Sequence, residues 1–313
     1  MARTVPTFLV AGAGRSGTTG LVEGLRAHPQ VFVTSPKEPH YFALHGDRPD
    51  FRGPGDADSI NATAVTREAD YLGLYPRDGA YRALGEGSVS TLYYYERALP
   101  ELLRINPDMR VVVLLREPVA RAYSSFLYLR AQGREPEEDF LVAVAQEEQR
   151  RADNWHHLWH YTRMSLYADA LAAFRDHLAP DHLGVWFHDD LERDYAATYA
   201  EILRFLDLPV LPGLGEDVPR VNISGTPRYR RLQQSLWWAA ERPALRHAVR
   251  GLTSWRLREA VRARLIRREG VPEHVTRVLT PVFEDDLARV RAVLGPSQRA
   301  PSWLVAPTGA GAR

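Results

Sequence analysis

The sequence predicts an α/β protein: a central parallel β-sheet flanked by helices, with a helical C-terminal part. Three stretches carry that expectation. Residues 7–11 are an apolar run that ends in Gly12-Ala13-Gly14 and is followed by a helix-like segment and a second short apolar run. Residues 110–115 read RVVVLL, a continuous β-branched and aliphatic run of the kind a parallel strand covered on both faces requires. From Tyr229 to about Leu294 the pattern is mostly helical.

Taken in order, the first strand is followed by a helix from Gly17 to His28, in which Leu21, Val22 and Leu25 supply one apolar face and Pro29 stops the chain. Val31–Val33 is the second strand, and strand–turn–helix–strand is a βαβ opening that fixes parallel pairing. Residues 43–80 are rich in Gly, Asp, Pro and Asn and are expected to be irregular. After RVVVLL, Pro118 opens a helix through about Ala131, since proline suits the first helical turn. Helices are expected over 136–150, 164–178 and 197–206, and a strand over 183–187. With no internal repeat and no linker, residues 1–295 are expected to form one domain and 296–313 a flexible tail.

Composition narrows the function. The chain has 313 residues, 40 of them Lys or Arg against 39 Asp or Glu, so no global field draws it onto nucleic acid. It contains no cysteine, which removes disulfides, thiolate metal sites and cysteine nucleophiles. No apolar run reaches the roughly 18 residues of a spanning helix, and the first strand is too short for a secretory core; a cytoplasmic protein is expected. Lys37 is the only lysine, which leaves 39 arginines among the 40 basic residues. It stands beside Glu38 in SPKEPHYF, and a compact ammonium there is not interchangeable with a guanidinium.

Two motifs carry anion chemistry. GAGRSGTT at 12–19 places successive backbone N–H groups at the start of a helix, a cradle for an anion, with Arg15 and the hydroxyls of Ser16, Thr18 and Thr19 beside it. It departs from the nucleotide P-loop GxxxxGK[ST] where Thr18 replaces the lysine. The second motif is LLREPVARAYSS. A P-loop triphosphatase would end this strand in a magnesium-binding aspartate; here it ends in Arg116, with Ser124 about two helical turns on. A cation at the carboxyl end of a parallel strand is placed to meet a second anion.

Together these segments resemble the sulfotransferases that use 3′-phosphoadenosine 5′-phosphosulfate (PAPS). GRSGTT is similar to that family's 5′-phosphosulfate loop and LLREPVARAYSS to its 3′-phosphate motif. KEPHYF at 37–42 resembles the KE-x-H-F-F segment of the heparan sulfate glucosaminyl enzymes. GEGSVSTLYY resembles their E-K/A-S-x-x-Y-F stretch, with Gly87 in place of the lysine, and WFHDDLERDYAATYAEILRFLDLP their later strand–helix signature. The likeness covers roughly residues 5–240.

The resemblance implies a fold related to nucleotide kinases and in-line transfer of a sulfuryl group from PAPS to an acceptor, leaving 3′,5′-adenosine bisphosphate, with no metal required. It implies that Arg15, Ser16, Gly17, Thr18 and Thr19 hold the 5′-phosphosulfate, with Arg15 near the sulfuryl group, and that Arg116 and Ser124 hold the 3′-phosphate. Glu38 is implied as general base, His40 is the runner-up, and Lys37 supports the reaction with its charge. Gly225 and Arg228, in VNISGTPRYRR, have the place of the family's last cofactor loop. The expected acceptor is a hydroxylated small molecule, glycoside or natural product, since near-neutral net charge does not favour a polyanionic polysaccharide. Two alternatives stay open: a P-loop kinase using Mg-ATP on a small molecule, and a nucleotide-binding module without turnover. His156, His157 and His160 have helical metal spacing but no matching carboxylate, and with Trp155, Trp159 and Tyr161 they read as packing or as the wall of an acceptor cleft.

Overall fold

The computed structural model describes residues 4–77, 79–214, 225–227, 266–268, 270–295 and 300–305. Five parallel strands form the sheet: β1 (Phe8–Gly12), β2 (Val31–Val33), β3 (Ala83–Glu86), β4 (Arg110–Leu115) and β5 (Leu183–Phe187), in the spatial order β2-β3-β1-β4-β5. The sheet explains why its central strands read as unbroken apolar runs. Leu9, Ala11, Val111, Val113 and Leu115 face one buried layer, while Phe8, Val10, Val112 and Leu114 face the other. Alternate side chains go to opposite faces, and both faces are covered.

The first layer is closed by α6 (Tyr95–Ile105), α10 (Ala168–His177) and α13 (Glu273–Leu294). The second is closed by α1 (Thr18–Arg26) and α12 (Tyr195–Phe205). A third cluster packs α7 (Pro118–Ala131) against Phe140, Trp159, Tyr161 and Phe283.

The boundaries agree closely with the sequence at β2, β4, α7 and β5. The segment 136–150 is two short helices, α8 (Phe140–Ala145) and α9 (Glu147–Ala152), not one. Residues 43–80 are mainly irregular but hold α3 (Ile60–Thr63) and α4 (Glu68–Leu72), preceded by α2 (Tyr41–Leu44). The segment is anchored by the buried Asp56, whose carboxylate accepts from Gly53 N, His156 N and Trp159 Nε1. β3 has no counterpart in the sequence expectations. Its ALGE offers neither a hydrophobic run nor alternation, yet it lies inside the sheet between β2 and β1.

At its described residues, 300–305, the stretch expected as a tail packs on the domain. Leu304 is 2% exposed within the first core layer. Its carbonyl accepts from Arg291 Nη1 at 3.1 Å, and Trp303 Nε1 donates to Asp189 Oδ2 at 3.2 Å. An isolated Trp-Leu pair in a Pro/Ala/Gly-rich stretch gives no period to read, but it has enough apolar surface to dock.

Candidate active site

The carboxyl ends of β1, β3, β4 and β5 open to the same edge of the sheet, where ligands of open α/β folds bind. β1 slips in register between Val10 and Gly12 against β4, and the chain then enters the cradle. Gly17, ahead of α1, has φ of +96°, and a Cβ there would lie 2.9 Å from Leu191 Cδ1 and 3.4 Å from His188 Nδ1. Only glycine fits on both counts. Arg15 adopts φ of +71°, a left-handed conformation that costs a non-glycine residue about 1–2 kcal/mol. Ser16 is fully buried, and its Oγ has no partner among the described residues; Thr18 is also buried.

The structure brings the two anion motifs into contact. Arg15 Nε donates to Ser124 Oγ at 3.2 Å, and its guanidinium lies over the Tyr128 ring at 4.4 Å. Arg116 Nη1 donates to the Arg15 carbonyl at 2.9 Å. Burial draws the Arg116 pKa down, against the pull of Glu192, Tyr167, Glu117 and Asp189. Next to it, His188 at the end of β5 was not foreseen as a site residue. Burial followed by the Arg116 charge lowers its pKa, against Glu192, Asp189 and a hydrogen bond to the Ser16 backbone. The only sequence signal was its place directly after a predicted strand.

Lys37 joins this cradle to the predicted base. Its Nζ donates to Glu38 Oε1 at 2.7 Å and lies 3.4 Å from Thr19 Oγ1. The Glu38 side chain is 29% exposed. Burial alone would raise its pKa, but the Lys37 ammonium, by its charge and its hydrogen bond, holds it below the ordinary carboxylate range. The ion pair outweighs the desolvation.

His40 has φ of +59° and is strapped to the 87–90 segment. Its N–H donates to Ser88 Oγ at 3.0 Å, and its Nδ1 is 2.9 Å from Ser90 Oγ. Burial lowers its pKa, so the ring is held neutral. Gly87 N donates to the Lys37 carbonyl at 3.0 Å, and beneath them Ser88 Oγ donates to the fully buried Glu86 carboxyl. A Cβ on Gly87 would lie 2.6 Å from Val22 Cγ2 and 3.1 Å from Lys37 Cε, so the lysine stem runs directly over the glycine.

The three further histidines pack. His156 Nε2 is 3.2 Å from Asp56 Oδ1, and His160 Nδ1 is 2.6 Å from the Tyr93 hydroxyl. Burial holds both rings neutral, with pKa values near 3 and 4 respectively. Among the described residues no group of three or more His, Asp or Glu is arranged to hold a metal ion. Gly225 lies in a short strand, β6 (Gly225–Pro227), paired with β7 (Ile266–Arg268), and Arg228 lies outside the described residues. No helix among the described residues is long and apolar enough to cross a membrane.

The model of a family described as "Sulfotransferase family" matches residues 6–212, which contain every predicted site residue except Gly225 and Arg228. The chain belongs to the sulfotransferase family. Among curated relatives, human carbohydrate sulfotransferase 15 is 27% identical over 172 residues, covering 46% of this chain and 30% of the relative. Mouse heparan sulfate glucosamine 3-O-sulfotransferase 6 is 32% identical over 125 residues, covering 40% of this chain and 30% of the relative. The matched stretch thus spans less than a third of either relative's length. A sulfotransferase from Alicyclobacillus acidocaldarius has a similar structure, with a TM-score of 0.73 and 24% identity, covering 97% of this chain and 99% of its own. That likeness establishes the parallel-sheet sulfotransferase fold.

Proposed function

We propose that this sulfotransferase-family protein moves the sulfuryl group of PAPS to a hydroxyl of a small molecule, glycoside or natural product by in-line transfer. The observation that carries the reading is the junction of the two anion motifs, with Arg15 bonded to Ser124 and Arg116 bonded to the Arg15 carbonyl. Two phosphate-type sites joined by one arginine suit a ligand anionic at both its 5′ and 3′ positions. The residues fit such a donor on their own chemistry. Ser16 Oγ is a buried polar atom without a partner among the described residues, and Arg116 has no carboxylate within ion-pair distance among them.

When bound, the donor supplies the sulfuryl group and leaves as 3′,5′-adenosine bisphosphate. Backbone N–H groups at the start of α1, with Ser16, Thr18 and Thr19, hold the 5′ end; Arg116 and Ser124 hold the 3′-phosphate. Glu38 is ionised at neutral pH and takes the acceptor hydroxyl proton as the oxygen gains its new bond. Lys37 stands between the two halves. Its ammonium is shared between Thr19 on the donor side and Glu38 on the acceptor side, placed to balance charge that develops on either. The neutral rings of His40 and His157 and the Tyr93 and Tyr94 rings form one packed group that reaches Glu38 through His40, and we read it as suited to an uncharged hydroxylated acceptor.

A magnesium-dependent kinase is disfavoured by the donor set, with Arg116 where a metal-binding carboxylate is needed and Thr18 where the P-loop lysine belongs. Calorimetric titration tests the difference. Metal-independent micromolar binding of 3′,5′-adenosine bisphosphate, weakened at least about tenfold in Arg116→Ala by loss of a charge-assisted contact, is expected. Tighter magnesium-dependent ATP binding overturns the reading. Glu38→Gln then separates an enzyme from a silent binding module. Turnover on a panel of hydroxylated acceptors falls about 10²–10⁴-fold while bisphosphate affinity stays unchanged.

A further inference from the structure

Under the donor loop lies a charge that the proposed chemistry does not use. Arg121, on α7 between Arg116 and Ser124, is 0% exposed. Its Nε donates to Ser165 Oγ at 2.5 Å, its Nη2 to the Tyr161 carbonyl at 2.6 Å, and its Nη1 reaches the Gly14 carbonyl at 3.4 Å. All three acceptors are neutral, and among the described residues no carboxylate lies within ion-pair distance of it. Burial pulls its pKa down and the nearby Arg116 adds to that pull, against Tyr167, Glu147 and Tyr161. A guanidinium nevertheless stays protonated in a protein.

The one carboxylate whose charge reaches Arg121 among those groups, Glu147, accepts instead from Thr162 N, Thr162 Oγ1 and Arg163 N, and an ion buried with no counter-ion in contact is a costly arrangement. Carrying its guanidinium into a dry region beside Gly14, and close enough to Arg116 for the two charges to interact, therefore calls for a compensating partner. Gly14 is part of the cradle itself, so the positive charge sits directly behind the backbone that faces the donor. In that low-dielectric setting its field is little screened.

We propose that Arg121 is a built-in positive charge beneath the donor loop: it raises affinity for a polyanionic nucleotide without touching it, the bound ligand being its missing counter-charge. This rests on the PAPS reading above only in taking the ligand to be multiply anionic. Arg121 is thus a positioning and electrostatic residue acting through the Gly14–Gly17 loop. A purely structural role, tying the Tyr161–Ser165 turn to α7, predicts different behaviour.

The test is calorimetric titration of 3′,5′-adenosine bisphosphate into the full-length protein and three variants, with the ligand-free unfolding midpoint of each. Arg121→Lys keeps the charge and loses the fork, whereas Arg121→Gln keeps donors and loses the charge. Ser165→Asp sets a carboxylate against the guanidinium from the other side. Affinity is expected to fall about tenfold or more in Arg121→Gln and in Ser165→Asp but to stay within about threefold in Arg121→Lys. The ligand-free midpoint of Ser165→Asp is expected to be unchanged or raised. Equal losses in Arg121→Lys and Arg121→Gln, or wild-type affinity in Ser165→Asp, overturn the inference. If Arg121→Gln does not fold, Ser165→Asp decides alone. No bisphosphate binding by the wild type overturns the PAPS reading itself, whereas wild-type binding that survives in both charge-removing variants overturns only the role of Arg121.

Discussion

Replacing Glu86 with glutamine tests the bed on which the predicted base rests. Glu86 ends β3 with 0% exposure, and its carboxyl accepts from Ser88 Oγ and, at 3.2 Å, from the Tyr71 hydroxyl. Burial lifts its pKa from 4.5 to about 8, with Ser88, Tyr71 and Lys37 opposing and Glu38 adding. In the unfolded chain the group ionises at its ordinary value, so between those two pH values the folded state carries one more proton than the unfolded. Its stabilising contribution is complete below the unfolded pKa and is lost as pH rises through the folded one, at about 1.4 kcal/mol per pH unit. Across a window of about 3.5 pH units that is on the order of 4–5 kcal/mol, a large part of a typical domain stability of about 5–15 kcal/mol. Glutamine keeps the shape and an acceptor for Ser88 but does not titrate. Urea unfolding of wild type and Glu86→Gln from pH 5 to pH 9 is expected to show similar stabilities at pH 5. By pH 8.5 the variant should be more stable by about 3–5 kcal/mol. Parallel stability curves across the whole range would refute the reasoning, because they would mean that Glu86 is already ionised at pH 5 in the folded protein.

Lys37→Met removes the ammonium that holds the Glu38 pKa low while keeping most of the stem. A carboxylate base works ionised, so turnover is lost as pH falls through the folded pKa; the acidic limb of the pH–rate profile should move to higher pH in the variant, and an unmoved limb counts against Glu38 as base. Gly87→Ala places a Cβ 2.6 Å from Val22 Cγ2 and 3.1 Å from Lys37 Cε. It should cost about 1–3 kcal/mol by overpacking and reduce turnover about 10–100-fold by displacing Lys37. Val22→Ala in the same chain should recover part of the stability, read as a favourable coupling of about 0.5–3 kcal/mol in a double-mutant cycle of urea unfolding. Leu304→Ala should cost about 2–4 kcal/mol in the same assay, whereas a residue in a loose tail would cost nothing measurable.

The features visible in the sequence are those that local physics encodes. Val111–Leu115 reads as a strand because both faces are buried, and Pro118 marks the start of α7; the Glu117 carboxylate that caps Val119 N and Ala120 N is seen in the structure. The cradle is legible because Gly17 is required twice over, by its positive φ and by Leu191. What stayed hidden depends on distant partners. β3 is held by β1 and β2 rather than by its own residues, and its last residue, Glu86, acquires meaning only beneath Ser88 and His40. Arg121 reads as one helix arginine among 39, and nothing local says that it is buried with no carboxylate within ion-pair distance among the described residues. The contact of Lys37 Nζ with Glu38 Oε1, 2.7 Å, and its further reach to Thr19 Oγ1 belong to the folded chain and are not given by adjacency in sequence.

That distance also bears on why one lysine stands in a chain whose other basic residues are all arginine. Lys37 meets three demands at once. Its stem crosses Gly87, where even an added methyl would come within 3.1 Å of Cε; its head bonds Glu38; and the same nitrogen reaches toward Thr19. A guanidinium delivers its hydrogen bonds in a fixed plane on a longer stem, and turning one edge to the carboxylate turns the rest of the fork away. An ammonium is a compact charge whose three protons point in separate directions, so one nitrogen reaches Thr19 and Glu38 together. The glycine and the lysine are therefore one device. Gly87 leaves the space through which the Lys37 stem passes. Whatever drives arginine use elsewhere in this chain, it stops at the residue where the shape of the charge matters as much as its sign.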